Sequence, residues 1–229
     1  MTDYWKNYWD DHARGVSSDD PLIQVQRSLE GRPIPDAQFG RITDHIVAQL
    51  ELDPAHTVLD LCCGNGLLSA AIEPLSSGVV AVDFCDRLLD ELPVRTSSKT
   101  AVISGDVREV DFPPESFDRV LLACALQHFD DAEVIRLFRK VAGMMRAGGL
   151  FLVTDIPDRA KMWAFFNDGD RERLHFDNRE NGTPILGTWF DRSWLEKLAQ
   201  HAGFSEATAL AQPEDFPYAH YRIDLRCRT

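Results

Sequence analysis

Apolar positions recur along the chain with two alternating periods. From Asp36, read as an N-cap, Phe39, Ile42, Ile46, Val47 and Leu50 fall on one face at helical spacing, and Asp53-Pro54 stops that helix. Residues 57–61 are then apolar except for Asp60, as expected of a central parallel strand covered on both faces. The same rhythm predicts a helix over 67–75, a strand over 79–82 ending at Asp83, a helix over 86–92 stopped by Pro93, and a strand over 100–103. Residues 117–122 supply a fourth strand. Asp130 with Glu133 makes a capping box for a helix striped by Val134, Leu137, Phe138, Val141 and Met145, Gly148-Gly149 ends it, and 150–154 is a fifth strand. Strands alternating with helices imply right-handed crossovers and a mainly parallel sheet.

The rhythm breaks after Ile156-Pro157. Residues 158–190 hold an aromatic stretch (Met162-Trp163-Ala164-Phe165-Phe166), a charged run and a Gly/Pro stretch at Gly182-Thr183-Pro184, too long for an ordinary connection and read as a cap over a binding edge. Ser193 with Glu196 predicts a second capping box and a helix ending near Gly203. Two last strands, 204–211 and 218–228, are joined by a short Pro-Glu-Asp-Phe-Pro loop and should form an antiparallel hairpin. In the second, Tyr221, Ile223, Leu225 and Cys227 alternate with Arg222, Asp224, Arg226 and Arg228, the period of a strand with one wet face. The expected fold class is therefore α/β, a doubly wound, seven-stranded, mostly parallel sheet with an antiparallel C-terminal hairpin. Residues 1–35, with Tyr4, Trp5, Tyr8 and Trp9 before Gly31-Arg32-Pro33-Ile34-Pro35, read as an appendage to a domain spanning 36–229 with its insertion at about 157–192. A lid over a pocket and a helix packed on the body share this pattern.

Composition narrows the partners. The 24 Lys plus Arg against 37 Asp plus Glu give a formal charge of -13, which opposes a nucleic-acid partner because phosphate backbones need a cationic field. Five cysteines (62, 63, 85, 124 and 227) are an odd count with no Cys-x-x-Cys spacing, so reduced thiols and no metal site are expected. No apolar run reaches the roughly 18 residues of a membrane span, and the first residues lack a signal peptide's pattern, so no membrane partner and a cytoplasmic location are expected.

The chemistry concentrates at Val58 to Leu68, Val-Leu-Asp-Leu-Cys-Cys-Gly-Asn-Gly-Leu-Leu, a buried strand breaking into a glycine turn that opens a helix. Gly64 and Gly66 let the backbone turn tightly and approach a ligand. Asp60, Asp83 and Asp106 stand in or just after successive strands, where a doubly wound sheet places its crevice. Asp83 follows Asp60 by 23 residues, near the spacing at which a carboxylate accepts from a ribose diol. Asp106 is placed to accept from an adenine amino group, and Phe84 and Leu88 to sandwich the ring. A nicotinamide fingerprint fits less well, because the position after Gly64-Asn65-Gly66-Leu67-Leu68 is Ser69 rather than Gly or Ala.

With these pieces in order, and with Gly105-Asp106-Val107, Phe117-Asp118, Leu126-Gln127-His128-Phe129 and Gly148-Gly149 following, the chain resembles class I S-adenosylmethionine-dependent methyltransferases of the small-molecule type. The family's earlier glycine is replaced by Cys62. The resemblance implies a Rossmann-like fold, S-adenosylmethionine as donor with S-adenosylhomocysteine as product, and a donor site at Asp60, Cys62, Cys63, Gly64, Asn65, Gly66, Asp83, Phe84, Leu88, Gly105, Asp106, Val107, Cys124 and Ala125. It places His128 where a general base would face the acceptor, a pocket-wall histidine or one bonded to the backbone of the next helix being the other reading; His175 and His220 are weaker alternatives, and Asp155 lies near the crevice by strand position. The expected activity is methylation of a small molecule, first a hydroxyl of a saccharide or natural-product intermediate. Nitrogen or carbon acceptors, and a donor-binding sensor without chemistry, are the alternatives; a monomer or homodimer is expected.

Overall fold

The computed structural model describes residues 2–16, 20–183 and 185–229, so Pro184 of the Gly/Pro stretch and part of the N-terminal appendage lie outside the described residues. The chain opens with helix α1 (Thr2–Gly15), a single turn α2 (Pro21–Gln24) and a small antiparallel ribbon of β1 (Ser28–Leu29) and β2 (Arg32–Pro33). Helix α3 (Asp36–Leu50) leads into β3 (Thr57–Leu61), α4 (Leu67–Ile72), β4 (Gly78–Asp83), α5 (Asp86–Leu89), α6 (Leu92–Arg95) and β5 (Thr100–Ser104). After β6 (Phe117–Ala123) come α7 (Asp131–Met144) and β7 (Met145–Pro157). The insertion carries α8 (Met162–Phe165) and α9 (Gly169–Asn181), and α10 (Arg192–Ala202), β8 (Glu206–Ala211) and β9 (Arg222–Arg228) close the chain.

Seven strands form one sheet in the order β5-β4-β3-β6-β7-β9-β8. The first five run parallel, and β9 is antiparallel to both β7 and β8, so the expected sheet and terminal hairpin are present. The order reverses direction at β3, whose two neighbours are β4 and β6; this switch point opens the crevice at the strands' carboxyl ends. Both faces are covered. Leu137, Phe138 and Val141 of α7 and Leu195 of α10 pack with Phe151 and Val153 on one side, while Ile42, Ile46 and Leu50 of α3 pack with Leu152 and Val58 on the other.

Local chemistry moved several predicted boundaries. Asp36 is the first helical residue of α3, and Pro35 before it offers no side-chain cap. Pro93 does not stop a helix but sits in the first turn of α6, where its missing N–H costs nothing. The capping box of Asp130 and Glu133 is present, but α7 ends at Met144, and Gly148-Gly149 lies inside a β7 that starts early with a register shift against β6. The second capping box is replaced by Asp191, which accepts from the Trp194 N–H at 3.1 Å, while Glu196 accepts from the Ala209 N–H of β8 at 2.9 Å. The wet face of β9 is wet only at its far end, because Arg222 and Asp224 are buried.

Phe151 is fully buried on β7 with the rings of Phe138 and Phe204 at 5.2 and 5.9 Å. Its replacement by alanine leaves a cavity that three elements cannot close together. Phe151→Ala is expected to cost about 3–5 kcal/mol of unfolding free energy, read by urea denaturation; a loss below about 1 kcal/mol would contradict this packing.

Candidate active site

The carboxyl ends of β4, β3 and β6 and the start of β9 border a cavity of about 560 Å³, roofed by α1 and the segment after it. That volume is typical of a site for a small ligand. Three non-glycine residues leave this sheet edge in the left-handed region: Cys62 (φ 57°) after β3, Cys124 (φ 56°) after β6 and Asp155 (φ 60°) in β7. Cys62 thus adopts the backbone conformation that favours the glycine it replaces, and such strained residues cluster at ligand sites.

The glycine turn and Asp83 are built as one unit. Gly64 (φ 57°) donates its N–H to Asp83 Oδ2 at 2.9 Å, and Asp83 Oδ1 accepts from the Cys85 N–H at 2.9 Å. Gly66 (φ 78°) caps α4, and a Cβ there would collide with Leu92. Each Asp83 oxygen retains capacity for a further donor, and burial pushes this carboxyl up against the pull of those backbone N–H groups. Asp60, also lining the cavity, accepts from Ser69 Oγ at 2.6 Å, and burial pushes it up to about 7.

Of the expected donor residues, Asp60, Cys62, Cys63, Gly64, Asn65, Asp83, Phe84, Leu88, Cys124 and Ala125 line the cavity. Gly66 stands behind the turn as the α4 cap. Gly105, Asp106 and Val107 do not line it: Gly105 donates to the Asp83 carbonyl, Val107 is buried in the core, and Asp106 is clamped by Arg108. Arg108 Nε reaches Asp106 at 2.8 Å and its other arm reaches Glu133 at 2.8 Å, so burial's upward push on Asp106 is overcome and its carboxyl is held down.

His128 lies at the cavity wall beneath α1, with the Trp5 ring at 4.2 Å. The Trp9 indole N–H donates to His128 Nε2 at 3.2 Å. Because indole only donates, Nε2 carries the lone pair and the neutral ring has its proton on Nδ1. Burial, reinforced by Arg222, pushes this imidazole down to about 3. His175 lines a second cavity in the insertion, and His220 is exposed. Cys124 is an inert thiol, raised by burial to about 11.

Sequence reasoning placed Asp155 near the crevice but missed its partners at the β7–β9 end. Arg27 Nη1 donates to Asp155 Oδ2 at 2.6 Å, Gln212 bridges Asp155 and Asp224 at 3.0 and 2.8 Å, and Arg222 donates to the Asp155 carbonyl. Burial would raise Asp155, but Arg27 and Arg222 hold it well below the usual carboxylate range. Arg27 and Arg222 line the cavity. Alternation made Arg222 look solvated; only the early turn of Tyr218–Tyr221 over the sheet edge reveals that it is not.

The protein's own unpaired atoms test the fit of S-adenosylmethionine. Asn65 Oδ1 and Gln127 Oε1 are buried at the cavity wall without partners among the described residues, and Asp83 has spare capacity. These acceptors match a ligand that presents an ammonium and a ribose diol, so the residues fit the donor.

A Rossmann-like sheet with its ligand crevice at the switch point, a glycine turn and an acid after the next strand defines a class I nucleotide-donor fold. Residues 58–149 match the family described as "Methyltransferase domain". The chain is 32% identical over 116 residues to a ubiquinone biosynthesis O-methyltransferase of Xanthomonas campestris, covering 48% of this chain and 47% of that one. It is 23% identical over 195 residues to a demethylmenaquinone methyltransferase of Bacillus licheniformis, covering 80% of each. Its fold superposes on N-methyltransferase NodS of Bradyrhizobium japonicum, a complex with S-adenosylhomocysteine, with a TM-score of 0.64 at 15% identity, covering 97% and 98% of the two chains. The chain spans about half the length of the Xanthomonas relative. Over residues 58–149 the chain is thus similar to the methyltransferase domain of class I S-adenosylmethionine-dependent enzymes.

Asp83→Ala removes the acceptor in contact with the glycine turn and is expected to weaken S-adenosylhomocysteine binding at least tenfold in calorimetry; affinity within twofold of the parent would remove Asp83 from the donor site. Asp60 gives a pH test. Its folded value near 7 exceeds the unfolded value of about 4, so between these values folding takes up a proton. The associated stability is full below about pH 4 and is lost as pH rises to 7. Asp60→Asn, which does not titrate, is expected to gain stability relative to the parent across that window and level off above it, read by urea denaturation from pH 4 to 8; a flat difference would show an ordinary Asp60.

Proposed function

We propose that this protein transfers a methyl group from S-adenosylmethionine to a small-molecule acceptor, with a hydroxyl of a saccharide or natural-product intermediate as the first choice of acceptor. The observation that carries the reading is one cavity with two unlike ends. The end at Asp83, Gly64 and Asn65 offers acceptors for the donor, and the other is walled by Trp5, Phe129, Tyr218 and Tyr221. When bound, the donor supplies an electrophilic methyl on a sulfonium, so the protein's contribution is alignment and exclusion of water. Phe84 and Leu88 would flank the adenine, and Asn65 and Gln127 would meet the amino-acid end.

Residues 2–35 and the insertion act, in this reading, as covers. Asn65 Nδ2 donates to the Pro21 carbonyl at 2.9 Å and to Gln24 Oε1 at 2.8 Å, tying the N-terminal segment to the glycine turn. The insertion is seated by Thr188, whose N–H donates to the Gln127 carbonyl at 2.8 Å and whose hydroxyl donates to Phe129 O at 2.8 Å. His128 serves as proton acceptor only once Trp9 releases Nε2, so the proposed base is coupled to movement of α1. A nitrogen or carbon acceptor needs no such base, and a donor-binding sensor needs no acceptor.

Incubating the protein with donor and a metabolite extract should yield a product heavier by one methylene in mass spectrometry, whereas absence of any new species with donor bound would favour the sensor. With that acceptor in hand, His128→Ala is expected to lower kcat at least tenfold while S-adenosylhomocysteine affinity stays within twofold. Unchanged kcat would remove His128 as base.

A further inference from the structure

We infer that the β7–β9 end of the cavity is an anion subsite in which Arg222 recognises a carboxylate carried by the acceptor. The inference deepens the proposed methyl transfer and rests on it for the word acceptor. Arg222 is 6% exposed and lines the cavity, yet among the described residues it forms no ion pair. Its Nη1 donates to the Asp155 carbonyl and reaches Cys124 Sγ at 4.0 Å, its side chain also bonds to Tyr221, and its Nε is buried without a partner among the described residues.

The neighbouring carboxylates are already engaged. Asp155 takes Arg27 at 2.6 Å and Gln212 at 3.0 Å; Asp224, two residues along β9, takes Gln212 at 2.8 Å, the Asp155 N–H at 3.0 Å and His45 Nε2 at 3.2 Å. The Asp155 carboxylate therefore acts on Arg222 only at a distance, and a ligand carboxylate in direct contact would satisfy the donors that the protein leaves open.

Two more donors point to the same need. Trp5 and His128 line the cavity, and Trp5 Nε1 and, in the tautomer set by Trp9, His128 Nδ1 are buried with no acceptor among the described residues. Arg222 is held over the faces of Tyr218 and Tyr221 at 5.6 and 5.2 Å, which fixes the planar fork that matches a carboxylate.

The donor also carries a carboxylate, on its amino-acid end. The backbone of Arg222 stands on β9, three strand steps or about 14 Å at ~4.8 Å per step from β3, whereas its Nη1 reaches to 4.0 Å from Cys124 Sγ just past the end of β6, so experiment must separate the two sources.

Calorimetry on protein saturated with S-adenosylhomocysteine separates these sources, using three matched pairs: benzoate and benzamide, phenylacetate and phenylacetamide, indole-3-acetate and indole-3-acetamide. At least one acid is expected to bind ten times more tightly than its amide. Arg222→Gln should abolish that preference with S-adenosylhomocysteine affinity within twofold. No acid preferred over its amide, or an Arg222→Gln that weakens S-adenosylhomocysteine and leaves the acid untouched, would overturn the inference. Should Arg222→Gln fail to fold, Arg222→Lys decides: it should weaken the acid at least threefold and leave the amide unchanged, and equal effects on both would overturn it. Failure of the parent to bind S-adenosylhomocysteine would sink the methyl-transfer reading instead, and the acid-amide comparison on the ligand-free protein would still judge the anion subsite.

Discussion

The Arg27–Asp155 ion pair is the interaction on which the shape of the site depends. It joins the N-terminal segment to β7 across 128 residues of sequence, with both side chains 5–6% exposed. Such a pair adds little net stability over an apolar replacement, because desolvation offsets attraction, but losing one partner costs about 3–5 kcal/mol. Its effect is therefore one of placement. Around it the Tyr218 hydroxyl donates to the Ser28 carbonyl at 2.8 Å, and the Ile34 N–H to the Arg27 carbonyl at 3.0 Å, fixing the β1–β2 ribbon on the sheet edge. Helix α1 is held less firmly, through Gln26 Nε2 to the Tyr8 hydroxyl at 2.6 Å and His12 Nε2 to the Gln24 carbonyl at 3.2 Å, with the first of these exposed. Trp5 of α1 is nevertheless buried and Trp9 donates to His128, so ribbon and helix together cover this end of the cavity.

The sheet edge supports this arrangement through its three left-handed residues. Asp155 sits where the β7–β9 register shifts between Val153 and Ile156, and a bulge there re-aims a side chain that a regular strand would turn elsewhere. Cys62 and Cys124 make comparable exits from β3 and β6 without glycine's freedom. Each costs on the order of 1 kcal/mol, and the surrounding strands hold it in place.

Much of this fold was legible in the sequence because burial on both faces writes continuous apolar runs, which mark β3, β4 and β6 without reference to anything distant. The glycine turn and Asp83 were legible for the same reason: their chemistry is local, within one strand-turn-helix unit and its successor. The clamp on Asp106 was not legible, because its partner Arg108 two residues away is equally plausible as a solvated side chain and only the packing of Glu133 on the next helix fixes it. The buried charges around Asp155, namely Arg27, Arg222 and Asp224, were illegible for a deeper reason. Alternation reports one face as wet, and on β9 that face is covered by segments far away in sequence, α3 through His45 and the ribbon beyond Arg27.

These charges also determine what closure of the cavity can do for His128. Its imidazole is held neutral chiefly by burial and secondarily by Arg222. A carboxylate placed on Arg222 would cancel the second cause and leave the first. Filling the acceptor site therefore cannot by itself make His128 a proton acceptor while Trp9 covers Nε2, and the step that frees Nε2 must also admit water or substrate to the ring. The chain's charge of -13 does not bar an anionic acceptor from reaching that point, since surface charges are screened within about 8 Å at physiological salt. A guanidinium in a low-dielectric cavity is screened far less. Net charge therefore bears on extended polyanions that contact much of the surface, and a small anionic acceptor would meet the guanidinium's field only inside the cavity.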